Sequence, residues 1–499
     1  TAGNLVLQAA QPTAGPFDPR PALQFNSANG TDVGLGVGWR TSLHRHVSVV
    51  DSSTADVIDS VGVSYRYTAK DAGTGQYTAP GTTQNSLTEL GGGGWTERQP
   101  NQFQIHYDSA GLVSRFQDAA GNRWTLTWGS FSGNDRLTQV DDPVGGATLL
   151  AYDGGGVIQT ITDVVGRVTT CTVSGSDLTE LSSAAAGVHE FQYDGGHQVT
   201  AVIGPDGGQA LFAYDGSSRV ALVEDALGQR TSLAYGTQLA RAVNPLGQRT
   251  THLFDGDQLP QGIVNPLGQR ATTTYAQGRM DWRADALGRK TTFTYILLGN
   301  GAKGISVVTA PGGGLHQYAY DASARVRNVT DPIGNRSTLL WDSNGLRQAV
   351  LDPLGRRTSF AFNGRGQPTA VVDALGQQQS AVYDGVGLLV GEVDGLGRRT
   401  SYVYDAYYRR AAVIDPLGGR TSYQHDGWGR VTALTNALGE TTSFRYDAAG
   451  RRLAVIDALG ARTSTLYDAA GRVVGTIDAL GRRTTLTRNA AGWLGPAEG

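Results

Sequence analysis

Residues 397–417 read GRRTSYVYDAYYRRAAVIDPL, and this stretch decides the fold of the 499-residue chain. Its first half, 399–404, alternates and is rich in β-formers, so it predicts a strand, and 410–414 predicts a second short strand. The joint at 415–418 has Asp, Pro and Gly where a type I turn prefers them. The joint at 447–450 offers the same chemistry, with a glycine that can take positive φ and form a bulge. The unit is therefore strand, turn, strand, turn, which is an antiparallel meander.

The unit recurs every 21 residues, and two columns mark it. One column is the glycine that ends a turn, which we predict to be a structural turn residue: Gly334, Gly355, Gly376, Gly397, Gly418, Gly439, Gly460 and Gly481. The other column is an aromatic residue, replaced once by His425, which we predict to form a ladder: Tyr320, Trp341, Phe362, Tyr383, Tyr404, Tyr446 and Tyr467. Upstream, weaker units reach back to Tyr107 and Tyr152.

The two faces of the predicted sheet differ. Thr400, Tyr402 and Tyr404 share one face because successive side chains of a strand alternate. The column between them accepts any residue and is expected to face water: Val403, Ala361, Gln424, Arg445 and Leu466. Long antiparallel sheets twist, and free edges invite aggregation. The sequence thus predicts an all-β fold of tandem antiparallel hairpins, coiled into a spiral sheet, shell or barrel-like solenoid. Which face lines the interior stays open.

Composition excludes several classes of protein. Seventy glycines are about twice the usual share of ~7 %, too many for a helical protein. The net charge is −3, and positive and negative residues are interspersed along the chain, so we expect no nucleic-acid partner. No apolar run reaches ~18 residues, so we expect no membrane span. The single cysteine, Cys171, allows no internal disulfide. Because the chain starts at Thr1, we expect a fragment or a processed chain.

We divide the chain into three parts. Residues 1–100 are expected to be a β-rich capping or plug segment with a Gly-x-Gly-Trp motif, because the end of a repeat array needs protection. Residues 101–190 are degenerate repeats, and residues 191–495 are the regular repeats of about 21 residues.

Candidate chemistry is sparse. His44 and His46 could share a strand face and ligate a metal, although solvent-facing histidines are the favoured interpretation. The loop 299–304 fits G-x-G-x-x-G, but strands flank it, which favours a flexible insertion over a dinucleotide site. No catalytic constellation emerges, and Cys171 lies in a plain strand context. We therefore predict no enzyme activity, no cofactor and no metal site.

The turn aspartates have two interpretations. They could supply calcium ligands, but a calcium site needs about six converging oxygens. Hydrogen bonds from each carboxylate to its own turn are favoured. A column of arginines is predicted to pair with these aspartates or to lie over neighbouring rings: Arg230, Arg249, Arg270, Arg336, Arg357 and Arg399.

The units resemble YD or RHS repeats over at least residues 190–490, most clearly where YDAAGR stands at 446–451 and 467–472. A second resemblance covers FDPR at 17–20, LQFNS at 23–27 and GLGVGW at 34–39, which is similar to the segment opening the repeats of bacterial Rhs proteins and Tc toxin C components. The resemblance implies a hollow β-cocoon around a toxic C-terminal domain, which an autoproteolytic core segment releases. The motif of that core is absent here, so neither autoproteolysis nor toxin activity is implied.

The expected function is therefore a non-catalytic scaffold. It would be a β-cocoon-type shell that encapsulates a toxin or cargo polypeptide in a secreted or delivered bacterial system. Its partners would be that polypeptide, neighbouring copies or a partner shell subunit. The alternative is an extracellular or cell-surface fibre or adhesin that binds proteins or surface glycans. Either role implies a secreted or cell-surface location.

Overall fold

The computed structural model describes residues 6–9, 22–27, 32–60, 62–80, 83, 85–99, 101–184, 187–205, 207–256, 259–298, 303–427, 429–447, 449–468 and 471–486. All regular secondary-structure elements in these ranges are β-strands, which confirms the all-β prediction. No helix in this part of the chain is long and apolar enough to cross a membrane. The predicted features at 17–20 and 299–302, and the end of the predicted repeats from 487 to 495, lie outside the described residues.

The strands are short, mostly four to seven residues. The strands that precede the repeats are β1 Val6–Ala9, β2 Leu23–Asn26, β3 Trp39–Thr41, β4 His46–Asp51, β5 Thr54–Ile58 and β6 Ser64–Tyr67. The strands of the main sheet up to residue 243 are β7 Ser86–Glu89, β8 Trp95–Arg98, β9 Gln104–Tyr107, β10 Val113–Gln117, β11 Arg123–Phe131, β12 Asn134–Asp141, β13 Ala147–Tyr152, β14 Ile158–Thr162, β15 Val168–Ser174, β16 Asp177–Ser183, β17 Gly187–Tyr193, β18 Val199–Ile203, β19 Gln209–Tyr214, β20 Val220–Glu224, β21 Arg230–Gly236 and β22 Leu239–Val243. The remaining strands are β23 Arg249–Phe254, β24 Pro260–Val264, β25 Arg270–Ala276, β26 Arg279–Ala284, β27 Lys290–Leu297, β28 Lys303–Thr309, β29 Leu315–Tyr320, β30 Val326–Thr330, β31 Arg336–Trp341, β32 Arg347–Leu351, β33 Arg357–Phe362, β34 Pro368–Val372, β35 Gln378–Tyr383, β36 Leu389–Val393, β37 Arg399–Tyr404, β38 Arg410–Ile414, β39 Arg420–His425, β40 Val431–Thr435, β41 Thr441–Tyr446, β42 Arg452–Ile456, β43 Arg462–Tyr467, β44 Val473–Ile477 and β45 Arg483–Thr485.

Three antiparallel sheets result. Strands β1–β3 and β4–β6 form two small sheets, and β7–β45 form one long sheet of 39 strands in sequence order. At its ends, β7 pairs with β8 and β45 pairs with β44. No pairing joins β7 to β45 within the described residues, so the long sheet is open rather than closed on itself.

The hairpins repeat one register. In β37 and β38, Tyr402 faces Val413, Val403 faces Ala412 and Tyr404 faces Arg410, so Ala411 is an extra, bulged residue. The same register shift occurs just before the marker aromatic residue in neighbouring hairpins, including those at Tyr383 and Tyr446. A bulge bends its strand and increases local twist. Its recurrence in hairpin after hairpin favours steady coiling of the sheet.

The two kinds of turn lie along opposite edges of the sheet. The turn that follows a marker aromatic, such as 405–409, is called a Tyr-Asp turn. The turn that ends a unit, such as 415–419, is called a Leu-Gly turn. Because each strand of a meander reverses direction, every Tyr-Asp turn falls on one edge and every Leu-Gly turn on the other.

The sheet coils far enough for its two edges to meet. The Asn122 amide, in the Leu-Gly turn between β10 and β11, donates to the Arg365 carbonyl, in the Tyr-Asp turn between β33 and β34, at 2.8 Å. The Gln102 amide, in the turn between β8 and β9, donates to the Ser323 carbonyl, in the turn between β29 and β30, at 3.5 Å. These pairs are 23 and 21 strands apart. One revolution therefore takes about 22 strands, and the contact between revolutions is called the seam.

The largest core lies where the N-terminal segment meets the first revolution. Trp39 is fully buried, packs edge-on against Phe191 at 5.0 Å and donates its Nε1–H to the Tyr193 hydroxyl at 2.8 Å. Backbone bonds continue this contact along the Tyr-Asp edge, from Ile158 N to Gly34 O and from Val47 N to Gly111 O. Residues 34–47 thus lie along that edge of the early strands.

Candidate functional site: the ladder of turns and aromatic residues

Each turn is built around one acidic side chain. In the turn at 405–409, the Asp405 carbonyl accepts from Tyr408 N at 3.0 Å. The Asp405 Oδ1 accepts from Tyr407 N at 2.9 Å and from Arg409 N at 3.0 Å. Turns that start with Asn, such as Asn436, use the side-chain oxygen in the same way. This confirms the prediction that the carboxylates bond their own turns.

An arginine at the last position of the turn closes it. Arg398 sits four residues after Asp394, and the two side chains form an ion pair at 2.7 Å. The hydrogen bond from the Arg398 guanidinium, followed by the one from its backbone N–H, lowers the pKa of Asp394. The same pair recurs in both kinds of turn: Asp163–Arg167, Asp215–Arg219, Asp285–Arg289, Asp321–Arg325, Asp352–Arg356, Asp405–Arg409, Asp426–Arg430, Asp447–Arg451, Asp468–Arg472 and Asp478–Arg482.

One of the two interpretations of the arginine column is wrong: within the described residues its members do not pair with the turn aspartates. Arg357 donates to the Ser359 hydroxyl, Arg399 to the Ser401 hydroxyl and Arg230 to Glu224. Among the described contacts, no ion pair to a turn aspartate involves the other members of that column: Arg249, Arg270 and Arg336. The physical reason is strand alternation, because a residue one position further along the strand points to the other face. The arginine that reaches the carboxylate is the one whose own N–H already bonds it.

The same arginines connect successive Tyr-Asp turns. The Arg430 guanidinium lies 4.7 Å from the centre of the Tyr446 ring and donates to the Asp447 carbonyl at 3.0 Å. Arg325 makes the equivalent contacts with Trp341 and the Asp342 carbonyl. A cation over an aromatic face contributes about 0.5–1 kcal/mol at exposed sites. The turns that carry such an arginine are therefore tied to the next Tyr-Asp turn along the edge.

The aromatic column completes this ladder by hydrogen bonding. The Tyr446 hydroxyl donates at 2.8 Å to the carbonyl of Val431, fifteen residues earlier, at the start of the strand that carries the bulge. The same bond, at the same spacing, is made by Trp128, Tyr152, Tyr193, Tyr214, Tyr235, Tyr295, Tyr320, Trp341, Tyr383, Tyr404 and Tyr467. A buried carbonyl without a partner is costly. The aromatic column therefore supplies a donor at the point where the bulge interrupts the hydrogen bonds between the two strands.

The predicted site residues occupy these positions. Of the seven predicted ladder residues, only Phe362 has no donor for this bond. The predicted turn glycines all have φ between 78° and 91°: Gly334, Gly355, Gly376, Gly397, Gly418, Gly439, Gly460 and Gly481. At each of these glycines, an added Cβ would have no atom within 4 Å. The positive φ, rather than crowding, is therefore what requires glycine there.

The interpretation of the histidines as solvent-facing is wrong for His44. His44 is buried, not solvent-facing, because Thr41 binds its Nδ1 at 2.7 Å and Trp128 packs edge-on against its ring. Burial, with nearby positive charge from Arg40, lowers the pKa of His44 to about 3. No group of three or more metal-ligating side chains converges in the described part of the chain. Burial raises the pKa of Cys171 to about 12, which keeps this thiol protonated.

The seam and a polar cluster around the buried Glu97, under the N-terminal segment, were not predicted. The buried Glu97 accepts from Arg45 at 2.9 Å and from the Tyr107 hydroxyl at 2.7 Å. No spacing in the sequence indicates this cluster, because its members come from separate strands. The seam depends on the number of strands in a revolution, which no local pattern contains.

Comparison with known proteins finds repeats of a known family in the C-terminal part of the chain. The family model described as RHS Repeat matches residues 341–378, 383–421, 411–441, 425–462 and 467–497. No curated protein matches the sequence. The chain is similar to the TcdB2-TccC3-TEV structure with 11 % identity and a TM-score of 0.48, covering 95 % of this chain and 30 % of that one. For TcdB2-TccC3 without its hypervariable C-terminal region, the identity is 13 %, the TM-score 0.47 and the coverage 96 % and 29 %.

The Photorhabdus luminescens Tc holotoxin pore gives a lower TM-score of 0.30 at 12 % identity, and the match covers 75 % of this chain and 26 % of that one. The chain spans less than a third of the length of these structures. The repeat fold and the family match support a structural role. The family match shows that the region from 341 to 497 carries RHS repeats, in agreement with the 21-residue hairpin unit.

Proposed function

We propose that this chain is part of a non-catalytic RHS-repeat shell that encloses a toxin or cargo polypeptide in a secreted or delivered system related to bacterial Rhs proteins and Tc toxins. The observation that carries the proposal is the seam. A sheet whose later Tyr-Asp turns contact its own earlier Leu-Gly turns has come round on itself, and it therefore surrounds a space.

The size of that space follows from the seam. About 22 strands, at about 4.8 Å between neighbours, give a circumference of about 105 Å and a backbone-to-backbone diameter of about 34 Å. Side chains occupy about 5 Å on each side, half the usual distance between packed sheets, and leave a lumen about 24 Å wide. An α-helix with its side chains is about 10–12 Å across, so the lumen has room for a polypeptide.

Selective labelling of the two faces tests the proposal. Tyr402 and Val403 are neighbours in β37 and point to opposite faces of the sheet. In a shell, Tyr402→Cys and Val403→Cys should both react with a small maleimide. Only the variant on the outer face should react with a maleimide coupled to a polymer wider than the lumen. The buried Cys171 makes the unsubstituted chain the background control.

The same experiment separates the shell from the cell-surface fibre or adhesin. In an open ribbon, both faces meet solvent, so both variants should react with the large reagent at similar rates. That result would refute enclosure. The variant that reacts only with the small reagent also identifies the face that lines the lumen.

A further inference from the structure

One face of strands β8–β11 is lined by arginine, histidine, amide and hydroxyl side chains. Alternation along these strands separates this face from the residues that point into the core: Trp95, Glu97, Ile105 and Phe116. The pairing register arranges the face in two rows that cross the four strands. One row is Arg98, Gln104, Gln117 and Arg123, and the other is Thr96, His106, Arg115 and Thr125. The two rows together are called the basic face.

The three arginines of the basic face have no acidic partner among the described residues. Arg98 donates to the Gln102 side chain at 3.1 Å, and Arg115 contacts the His106 ring at 3.4 Å. Within the described part of the chain, no hydrogen bond or ion pair involves the Arg123 side chain. Other arginines of the first revolution, such as those at the ends of turns, are neutralised by an aspartate, so this group is distinct from them.

The carboxylates at the border of the basic face are held by amides instead. Asp118, which follows the face directly in sequence, accepts from the Asn122 side chain at 2.7 Å. Asp141, in the next strand, accepts from the Gln139 side chain at 2.6 Å. The positive charge of the face is therefore not compensated by direct contact with these acids.

Arg115 carries a buried donor that is not used. Its Nε is shielded from solvent and makes no hydrogen bond, which is a costly state for a charged group. The arginines also act together on one point. Burial, followed by the charges of Arg115, Arg123 and Arg98, lowers the pKa of His106 to about 4, so this ring is neutral near pH 7. The three guanidinium groups are thus close enough to act on one bound charge.

The basic face continues into a cavity at the seam. The cavity has a volume of about 250 Å³, and Arg98, Gln104 and Gln117 line one side of it. Turns of the second revolution line the other side, with residues 323, 325 and 343–345. Pockets for drug-sized ligands measure about 300–1,000 Å³. This cavity is smaller and its lining is polar, so it suits a small polar group.

We infer that the basic face and the seam cavity form a binding site for an oxyanion, a sulfate or phosphate group. Guanidinium groups donate paired N–H groups to such oxygens, and their charge complements the anion. Gln104 and Gln117 lie between the arginines and add neutral amide donors. The inference goes beyond the proposed shell, because the site takes a ligand from solvent and requires no cargo.

Isothermal titration calorimetry of the full chain tests the inference. Sodium sulfate and sodium phosphate, titrated separately at low ionic strength, should each show saturable binding at one site. Arg98→Gln and Arg123→Gln should each weaken that binding about tenfold or more, because each removes hydrogen bonds to a charged ligand. Arg123→Lys keeps the charge without the paired donors and should weaken binding less than Arg123→Gln.

Arg270→Gln is the matched control. Arg270 begins β25 as Arg123 begins β11, both are exposed, and the two substitutions change the net charge equally. Binding by Arg270→Gln should equal that of the parent chain. Unchanged denaturant midpoints for all variants establish that a loss of binding is not a loss of fold.

A heparin tetrasaccharide distinguishes the sources of the oxyanion. Binding about tenfold tighter than that of sulfate, and weakened by Arg98→Gln, would assign the site to the sulfate groups of a glycan. Binding no tighter than that of sulfate would assign it to a free ion. Two results would overturn the inference. The parent chain could show no saturable binding of any of the three probes. Alternatively, Arg270→Gln could weaken binding as much as Arg98→Gln, which would mean that net charge rather than a site attracts the anion.

Discussion

The bond from an aromatic side chain to the preceding hairpin can be removed with one atom. Tyr446→Phe deletes the hydroxyl that donates to the Val431 carbonyl at 2.8 Å and leaves the ring under Arg430. The net loss should be about 1 kcal/mol, the usual contribution of a neutral hydrogen bond. Melting temperature is a weak measure of this loss. A chain of 499 residues has an unfolding entropy near 1 kcal/mol per kelvin, so the shift would be about 1 °C.

Amide hydrogen exchange reads the same loss locally, because repeat proteins open unit by unit. A loss of about 1 kcal/mol should speed exchange about fivefold in β40 and β41, provided that these strands open locally. Tyr423→Phe is the matched control, since no described bond joins the Tyr423 hydroxyl to such a carbonyl. Phe362→Tyr is the converse test, because its new hydroxyl would lie near the Arg347 carbonyl and should slow exchange. Equal exchange rates in all three variants and the parent chain would refute the ladder.

Three further predictions concern turns and buried groups. Gly418→Ala should cost about 1–2 kcal/mol through positive φ alone, whereas Gly366→Ala should cost more because its Cβ also meets Ala120; denaturant unfolding measures both, and equal losses would contradict the seam. The pKa of His44 is lowered in the folded state, so the unfolded chain binds a proton more readily, and stability should fall as pH drops from about 6.5 toward 3. His44→Gln should remove that part of the pH dependence. Unfolding measured as a function of pH checks this. The pKa of Asp394 is also lowered, so its contribution is present above the ordinary carboxyl pKa and lost as pH falls toward the folded value; Asp394→Asn should be less acid-sensitive than the parent, and an unchanged acid transition would count against its ion pair.

Local features were predictable from the sequence because one unit contains them. The turn at 415–418 needs Asp at its start and glycine at its end, and both requirements arise from backbone geometry within four residues. The alternation of 399–404 likewise indicates a strand without knowledge of its neighbours. The aromatic column was visible as a period, but its bond to a carbonyl fifteen residues earlier depends on the register of two hairpins.

Features that join distant strands were out of reach. The arginine column was misplaced because Arg398 and Arg399 are equally basic neighbours, and only the path of the chain out of the turn decides which reaches Asp394. The burial of His44 depends on Trp128, which lies in a separate strand. The seam between Asn122 and Arg365 needs the number of strands per revolution.

Imaging by electron cryo-microscopy tests the central claim most directly. A coiled sheet of about 22 strands per revolution should appear as a short hollow particle with low density along its axis. Its diameter between opposite backbones should be about 34 Å. An extended ribbon or rod without a lumen would contradict the shell, whatever the stability of its individual hairpins.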